Sequence, residues 1–215
     1  MKKRFLPWAG LLLALTFGAT ILVLPQLPAR IPSHWNAAGQ VDAWGPPASL
    51  FTEPALMLFL AFLWTVLPGI SPKRFEVEGF EDTWWFGGIA VLALLAYVQA
   101  MLLWAATGGQ VDMGRSLLGG IGALVLLLGN VMGKVRRNFW FGVRTPWSLA
   151  DERVWYATHR LAAKTMVAGG LLAIGAALAA LPPLAGLAVL LAGALAPALY
   201  SLVYYRRLQR AGGLG

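Results

Sequence analysis

The sequence predicts an all-α polytopic membrane protein, with six transmembrane helices and both termini in the cytoplasm. Of the 215 residues, 59% are hydrophobic and only 12% are charged, and the mean hydropathy is +0.68. Soluble domains usually carry about 25% charged residues, so one buried core cannot explain the deficit. The whole chain, residues 1–215, is therefore predicted to form a single membrane domain.

Six apolar runs approach the length of about 20 residues that a helix needs to cross about 30 Å of hydrocarbon. They lack the two-residue alternation of a membrane barrel, so helices are the predicted form. The fourth and fifth runs are the shortest, and we expect them to extend into their flanks. Pro182 and Pro183 predict a tight connection between helices five and six. The runs are 5–24, 51–70, 84–107, 117–132, 166–181 and 184–205.

The basic residues predict how these helices are oriented. If the N-terminus is cytoplasmic, Arg30 and Arg115 are the only two of the 17 lysines and arginines that fall outside. Cytoplasmic loops carry an excess of these residues, which places both termini inside. The net charge of +8 is thus a topology signal and predicts no direct binding of nucleic acid. The absence of cysteine excludes a disulfide framework, a thiol nucleophile and a thiolate metal site.

The first long loop, residues 25–50, is predicted to lie outside and contains a polar and aromatic cluster: His34, Trp35, Asn36 and Asp42. Its prolines favour an extended backbone over a helix. The cluster fits an outward-facing ligand site, or a compact loop whose polar groups bond to its own backbone. A zinc site here would have to combine His34 with Asp42 and Glu53, which are fewer ligands than the usual four. We therefore predict no metal and no cofactor.

The second long segment, residues 133–165, is predicted to be cytoplasmic. It contains "NFWFGVRTPWSLADERVWYATHR" at 138–160. Pro146 should make Thr145 extended. Ser148 and Asp151 have the spacing of a capping box, which predicts a helix that starts at Ser148 and continues through Lys164 into the fifth apolar run.

On that helix, Trp155 and His159 are four residues apart and should share a face, as should Tyr156 and Arg160. Two interpretations remain open. A surface helix could hold its tryptophans and arginines at the lipid headgroups, or the segment could recognise a partner. Surface anchoring alone does not require the residues upstream, which are Asn138, Gly142, Arg144, Thr145, Pro146 and Trp147.

These residues carry a resemblance. The segment "NFWFGVRTPWSLADERVWYATHRLAAK" is similar to the signature of the SdpI family, roughly N-x-x-x-G-x-R-T-P-W-T-L followed by V-W-x-x-T-H-R. The loop "IPSHWNAAGQVDAWG" resembles P-x-H-W-N-x-x-G-x-x-D, from an uncharacterised domain found ahead of that signature. The positions that match are Pro32, His34, Trp35, Asn36, Gly39, Asp42, Asn138, Gly142, Arg144, Thr145, Pro146, Trp147, Leu149, Val154, Trp155, Thr158, His159 and Arg160.

The resemblance implies a non-enzymatic protein of the bacterial cytoplasmic membrane that acts in toxin immunity or signalling. The outer loop would meet a secreted peptide or another envelope ligand. The inner segment would contact a cytoplasmic partner such as a repressor, or brace the bundle. Arg144, His159 and Arg160 are the candidates for polar contacts, and Trp147 and Trp155 are the candidate aromatic anchors.

The alternative is a small transporter or export component. Transporters place ionisable residues along a pathway within their helices, whereas only uncharged polar residues such as Gln99 and Asn130 lie at depth in the predicted spans. Catalysis has less support, since no paired carboxylates or serine–histidine pair can be assembled on one side of the membrane. No catalytic residue is predicted.

Overall fold

A computed structural model describes residues 2–36 and 39–213, except for the side chains of Lys2 and Arg74. The positive charges of Lys2 and Arg74, which were counted in the predicted orientation, thus lie outside the described residues. Residues 37–38 of the predicted outer loop lie outside them as well. Short 3-10 turns connect several of the longer elements. The described helices and strands are α1 (Lys2–Val23), β1 (Ile31–Trp35), β2 (Val41–Gly45), α2 (Thr52–Val66), α3 (Glu81–Ala106), α4 (Met113–Met132), α5 (Pro146–Ala150), α6 (Glu152–Leu178) and α7 (Pro183–Arg210).

Among the described residues, six helical stretches are long and apolar enough to cross a membrane. They coincide with the six predicted runs, so that prediction is confirmed. The fourth helix starts earlier than predicted, at Met113, and the fifth starts at Glu152. Most of the helix predicted in the second long segment therefore forms one continuous element with the fifth span. Pro183 occupies the first turn of α7, as the proline pair predicts.

The prediction of a purely α-helical fold misses one element, because the first long loop folds as an antiparallel β-hairpin. Ile31 pairs with Gly45, and Trp35 pairs with Val41. The turn is held by Asn36, whose backbone N–H donates to Gln40 O (2.9 Å) and whose Oδ1 accepts from Gln40 N–H (3.0 Å). The extended backbone that the prolines favoured is present here, and Pro32 fits a two-stranded ribbon because one edge of each strand needs no donor.

The start of the helix in the second loop also differs from the prediction. Thr145, not Ser148, caps the short helix α5, and Ser148 is its third residue. Asp151 then has an extended backbone (φ −134°, ψ 132°), which separates α5 from α6. Its carboxylate accepts from the N–H groups of Arg153 (2.8 Å) and Val154 (3.4 Å) and thereby caps α6. Thr145 is extended before Pro146, as predicted.

The main core lies at the end of the bundle that contains residues 133–151, which we call the loop end. Trp84 and Trp155 are fully buried there, and Phe5 packs on Trp85. Trp64 and Trp84 each donate an indole hydrogen bond to the other's carbonyl, at 2.8 and 3.0 Å. The opposite end, the hairpin end, has a smaller cluster that contains Ile31, Leu50 and Ala106.

Between the two ends, small residues let α4 and α6 approach closely. A Cβ added to Gly170 would lie 2.6 Å from the carbonyl oxygen of Gly122. In lipid, where water cannot drive helices together, this close backbone contact is a main source of association. A buried polar link ties α1 and α3 to the 3-10 turn that precedes α2, since Gln99 Nε2 donates to Thr20 Oγ1 (2.8 Å) and to Leu50 O (3.0 Å).

Candidate functional site

At the loop end, the side chain of Asn138 holds a tight turn of the backbone. Its Oδ1 accepts from the N–H groups of Trp140 (2.8 Å) and Phe141 (2.7 Å). Its Nδ2 donates to the carbonyls of Arg136 and Phe141, both at 2.9 Å. Asn138 is fully buried, and an amide with two bonds accepted and two donated has no capacity left for a ligand.

His159 connects this loop to α6 from a buried position. Its Nδ1 lies 2.8 Å from the carbonyl oxygen of Trp155, and its Nε2 accepts from the N–H of Val143 at 3.1 Å. A carbonyl can only accept and an N–H can only donate, so the pattern requires a neutral imidazole with its proton on Nδ1. Both ring nitrogens are therefore occupied by the protein itself.

Gly142 makes this contact possible. Its φ is +108°, and a Cβ at this position would lie 2.3 Å from His159 Nε2. A side chain here would both strain the backbone and push the loop off the imidazole. The glycine of the signature therefore serves the approach of the loop to α6.

Trp155 packs its ring against the imidazole of His159. It is fully buried, its indole N–H donates to Val135 O (2.8 Å), and its ring stacks on the imidazole with centroids 4.0 Å apart. The predicted shared face of the two residues is thus confirmed. Both point into the core and not toward a partner.

A hydroxyl cluster attaches the same loop to α7. Thr145 Oγ1 accepts from Ser148 N–H (3.1 Å) and lies 2.7 Å from Ser201 Oγ. Ser148 Oγ donates to Val143 O at 2.7 Å. Sequence reasoning missed Ser201, because it lies far along the chain and in no motif, and it gave Ser148 the wrong role.

The exposed members of the signature form a separate group. Arg144, Pro146 and Arg160 are exposed and Trp147 is half-buried. The Arg144 guanidinium donates to the carbonyl of Phe139, whose own ring is 45% exposed. Arg144 and Phe139 thus present a cation and an aromatic ring on the same part of the loop. The sequence did not single out Phe139.

Asp151, which lies at the loop end and outside the spans, has a shifted pKa. The side chain of Arg153 donates to its carboxylate at 2.8 Å. This bond, together with the backbone N–H groups of the cap, holds the pKa of Asp151 below its usual 3.8. Arg153 also donates to the carbonyl of Gly213, so the pair joins the start of α6 to the end of the chain.

At the hairpin end, the signature side chains are more open. His34 Nδ1 lies 2.5 Å from Asp42 Oδ1, across the two strands, with the side chains 66% and 43% exposed. Asn36 builds the turn, and Trp35 is half-buried. The loop is thus internally bonded, and it also displays polar groups; the ligand site stays a prediction.

A groove of about 570 Å³ runs beside this hairpin. One wall is the hairpin, with Trp35 and Trp44, and the other is the turn between α3 and α4 at residues 107–111. Arg30 lines it and donates to Trp44 O at 3.2 Å. A concave site of about 300–1,000 Å³ is the usual size for a ligand pocket. Arg30, Trp44 and the α3–α4 turn were not predicted, since only the fold brings them together.

Comparison with known proteins agrees with this layout. Residues 134–205 match the model of the SdpI/YfhL protein family. Residues 11–58 match a domain of unknown function, DUF1648. The Immunity protein SdpI of Bacillus subtilis (strain 168) is 28% identical over 170 residues, which cover 79% of each chain. Residues 134–205 thus form an SdpI-type segment, and the chain is similar to that immunity protein over most of its length.

These similarities bear on the class of function. The relative is an immunity protein, and the SdpI family is not an enzyme family. The match to the SdpI model begins at Lys134, so it includes the Asn138 turn, the His159 contact and the Ser201 link to α7. No solved structure matches the chain.

Proposed function

We propose that the protein confers immunity on a bacterial cell by binding a secreted peptide or another envelope ligand at the hairpin end. The relative's name as an immunity protein and the open groove beside the hairpin support this. We further propose that the protein resides in the cytoplasmic membrane, with both termini inside. Arg30 and Arg115 then carry the positive charge of the outer side, in line with the positive-inside rule.

The observation that carries the proposal is the composition of the groove. Trp44 is 52% exposed beside the hairpin, and exposed aromatic rings with an arginine are typical of binding hot spots. Arg30 is the cation of the groove lining, so an apolar peptide with a carboxylate is the ligand that fits. The ring would bury apolar side chains and the guanidinium would pair with the carboxylate.

At the loop end, we propose that Phe139, Arg144, Pro146 and Trp147 form the surface for a cytoplasmic partner such as a repressor. Phe139, Arg144 and Pro146 are exposed, and Trp147 is half-buried beside them. The buried Asn138, Trp155 and His159, together with the half-buried Gly142, would act by holding that surface in shape. The roles of binding and of bracing are thereby divided among different residues of one motif.

The test is a survival assay in a bacterial host that is killed by secreted peptides. The host expresses the full chain and is challenged with culture filtrates of the source bacterium and of Bacillus subtilis. We expect the wild-type chain to raise survival, and Trp44→Ala with Arg30→Gln to reduce that gain at least tenfold.

The matched control is Trp8→Ala with Arg115→Gln, which removes another exposed tryptophan and the other predicted outer arginine. It should protect as well as the wild type at equal membrane abundance. No protection by the wild-type chain against either filtrate would refute the immunity role. Equal losses in the two variants would refute the groove as the binding site.

A further inference from the structure

A second groove lies at the loop end, where α4 ends between α6 and α7. It measures about 440 Å³ and is lined by Gly133, Ala157, Arg160, Lys164 and Tyr200, among others. It is far from the hairpin, and the partner surface proposed above does not include it. Its walls are small or apolar, while its two charged side chains are both cations.

Those two cations have no partner among the described residues. Arg160 and Lys164 are exposed and lie four residues apart on α6, and neither makes an ion pair or hydrogen bond with the part of the chain that the structure describes. Nearby Arg153, by contrast, is paired with Asp151. No acidic residue is among the described residues that line the groove. The positive charges of Arg160 and Lys164 are therefore available to a ligand from outside the protein.

The position of the groove along the helices indicates which kind of molecule supplies the opposite charge. With a rise of 1.5 Å per residue, Lys164 lies about 21 Å and Arg160 about 27 Å along α6 from Leu178 at its other end. Tyr200 lies about 26 Å along α7 from Pro183. Hydrocarbon is about 30 Å thick. A groove at this depth meets the lipid headgroups, and long basic side chains there extend toward the phosphates.

We propose that this groove binds the headgroup of an anionic phospholipid. The guanidinium of Arg160 and the ammonium of Lys164 would hold the phosphate, because charge-assisted bonds from both groups suit its oxygens. Ala157, Leu161 and Ala163 would contact the glycerol and the first acyl carbons. Basic pockets between membrane helices are a recognised kind of lipid site, and the absence of an acid favours anionic over zwitterionic lipid.

The test measures thermal unfolding of the purified full chain in detergent, with phosphatidylglycerol, phosphatidylcholine or inorganic phosphate at equal concentration. Saturating phosphatidylglycerol should raise the Tm of the wild type by about 5 °C. The other two should raise it by less than half as much. A full shift with inorganic phosphate would mean a site for a soluble anion, and a full shift with phosphatidylcholine would mean no headgroup selectivity; either result overturns the proposal.

Arg160→Gln with Lys164→Gln should abolish the shift. The control, Arg206→Gln with Arg207→Gln, removes the same charge from exposed residues of a neighbouring basic cluster and should keep it. Equal losses in both variants would indicate general surface attraction and overturn the site. Native mass spectrometry of the wild type gives a readout that does not depend on the variants' folding, because one retained phosphatidylglycerol is expected and none would contradict the proposal.

Discussion

The two ends of the molecule use their signature residues in opposite ways. At the loop end, Asn138, Trp155 and His159 are at most 1% exposed and bond to the protein's own backbone. At the hairpin end, the side chain of His34 is 66% exposed, and Trp44, which is outside the signature, is 52% exposed and lines the groove. The buried residues of the longer motif therefore serve packing, whereas the shorter motif leaves polar groups at the surface. Matched substitutions at the two ends test this difference.

The largest difference is expected between two glycines with positive φ. Gly142→Ala should lower the free energy of unfolding by about 2–4 kcal/mol, since it adds left-handed strain to a clash with the buried imidazole of His159. The measurement is denaturant unfolding in detergent micelles. Loss of the Val143 to His159 hydrogen bond should accompany the loss of stability.

Gly39→Ala is the control for that experiment. Its φ is +77°, but the nearest atom to an added Cβ is Asp112 Oδ1 at 3.7 Å, an ordinary contact. Only the backbone strain remains, about 1 kcal/mol. If the two alanine variants unfold alike, then the contact between Gly142 and His159 does not hold the loop end together.

The next difference is expected between two asparagines that hold turns. Asn138→Ala leaves two N–H groups, one buried and one partly buried, and two carbonyls without their partner, which should cost about 2–3 kcal/mol. Asn36→Ala removes an amide from a half-exposed turn where water can replace it, and should cost below about 1 kcal/mol. Equal effects on unfolding in micelles would contradict the division between the two ends.

Sequence reasoning reached the helices because hydropathy and helix length act locally. It failed at the cap of the first helix in the second loop, because Thr145, which caps α5 in place of Ser148, lies against Ser201 on the distant α7. The hairpin groove could not be predicted from the sequence for the same reason, because Arg30 and Trp44 meet the α3–α4 turn only in the folded chain. The signature positions were found, but whether each is buried depends on the packing of distant helices.

The smallest expected effect concerns the charge that caps α6. Because the pKa of Asp151 is lowered in the folded protein, its carboxylate contributes stability at pH values above 3.8, its usual pKa. That contribution is lost as the pH falls through the still lower folded pKa. The Arg153 side chain is 54% exposed, so solvent screens the pair and the effect should stay below about 1 kcal/mol.

Asp151→Asn separates this charge effect from the cap itself. The amide oxygen can still accept from the N–H groups of Arg153 and Val154, whereas Asp151→Ala removes the cap and should cost about 1 kcal/mol in addition to the charge effect. We expect the wild type to lose stability relative to the Asn variant as the pH is lowered from 5 to about 3. Unfolding in micelles across that range provides the measurement. Parallel curves for the two chains would show that the cap acts through hydrogen bonds alone, and the loop end would then owe its stability to uncharged contacts throughout.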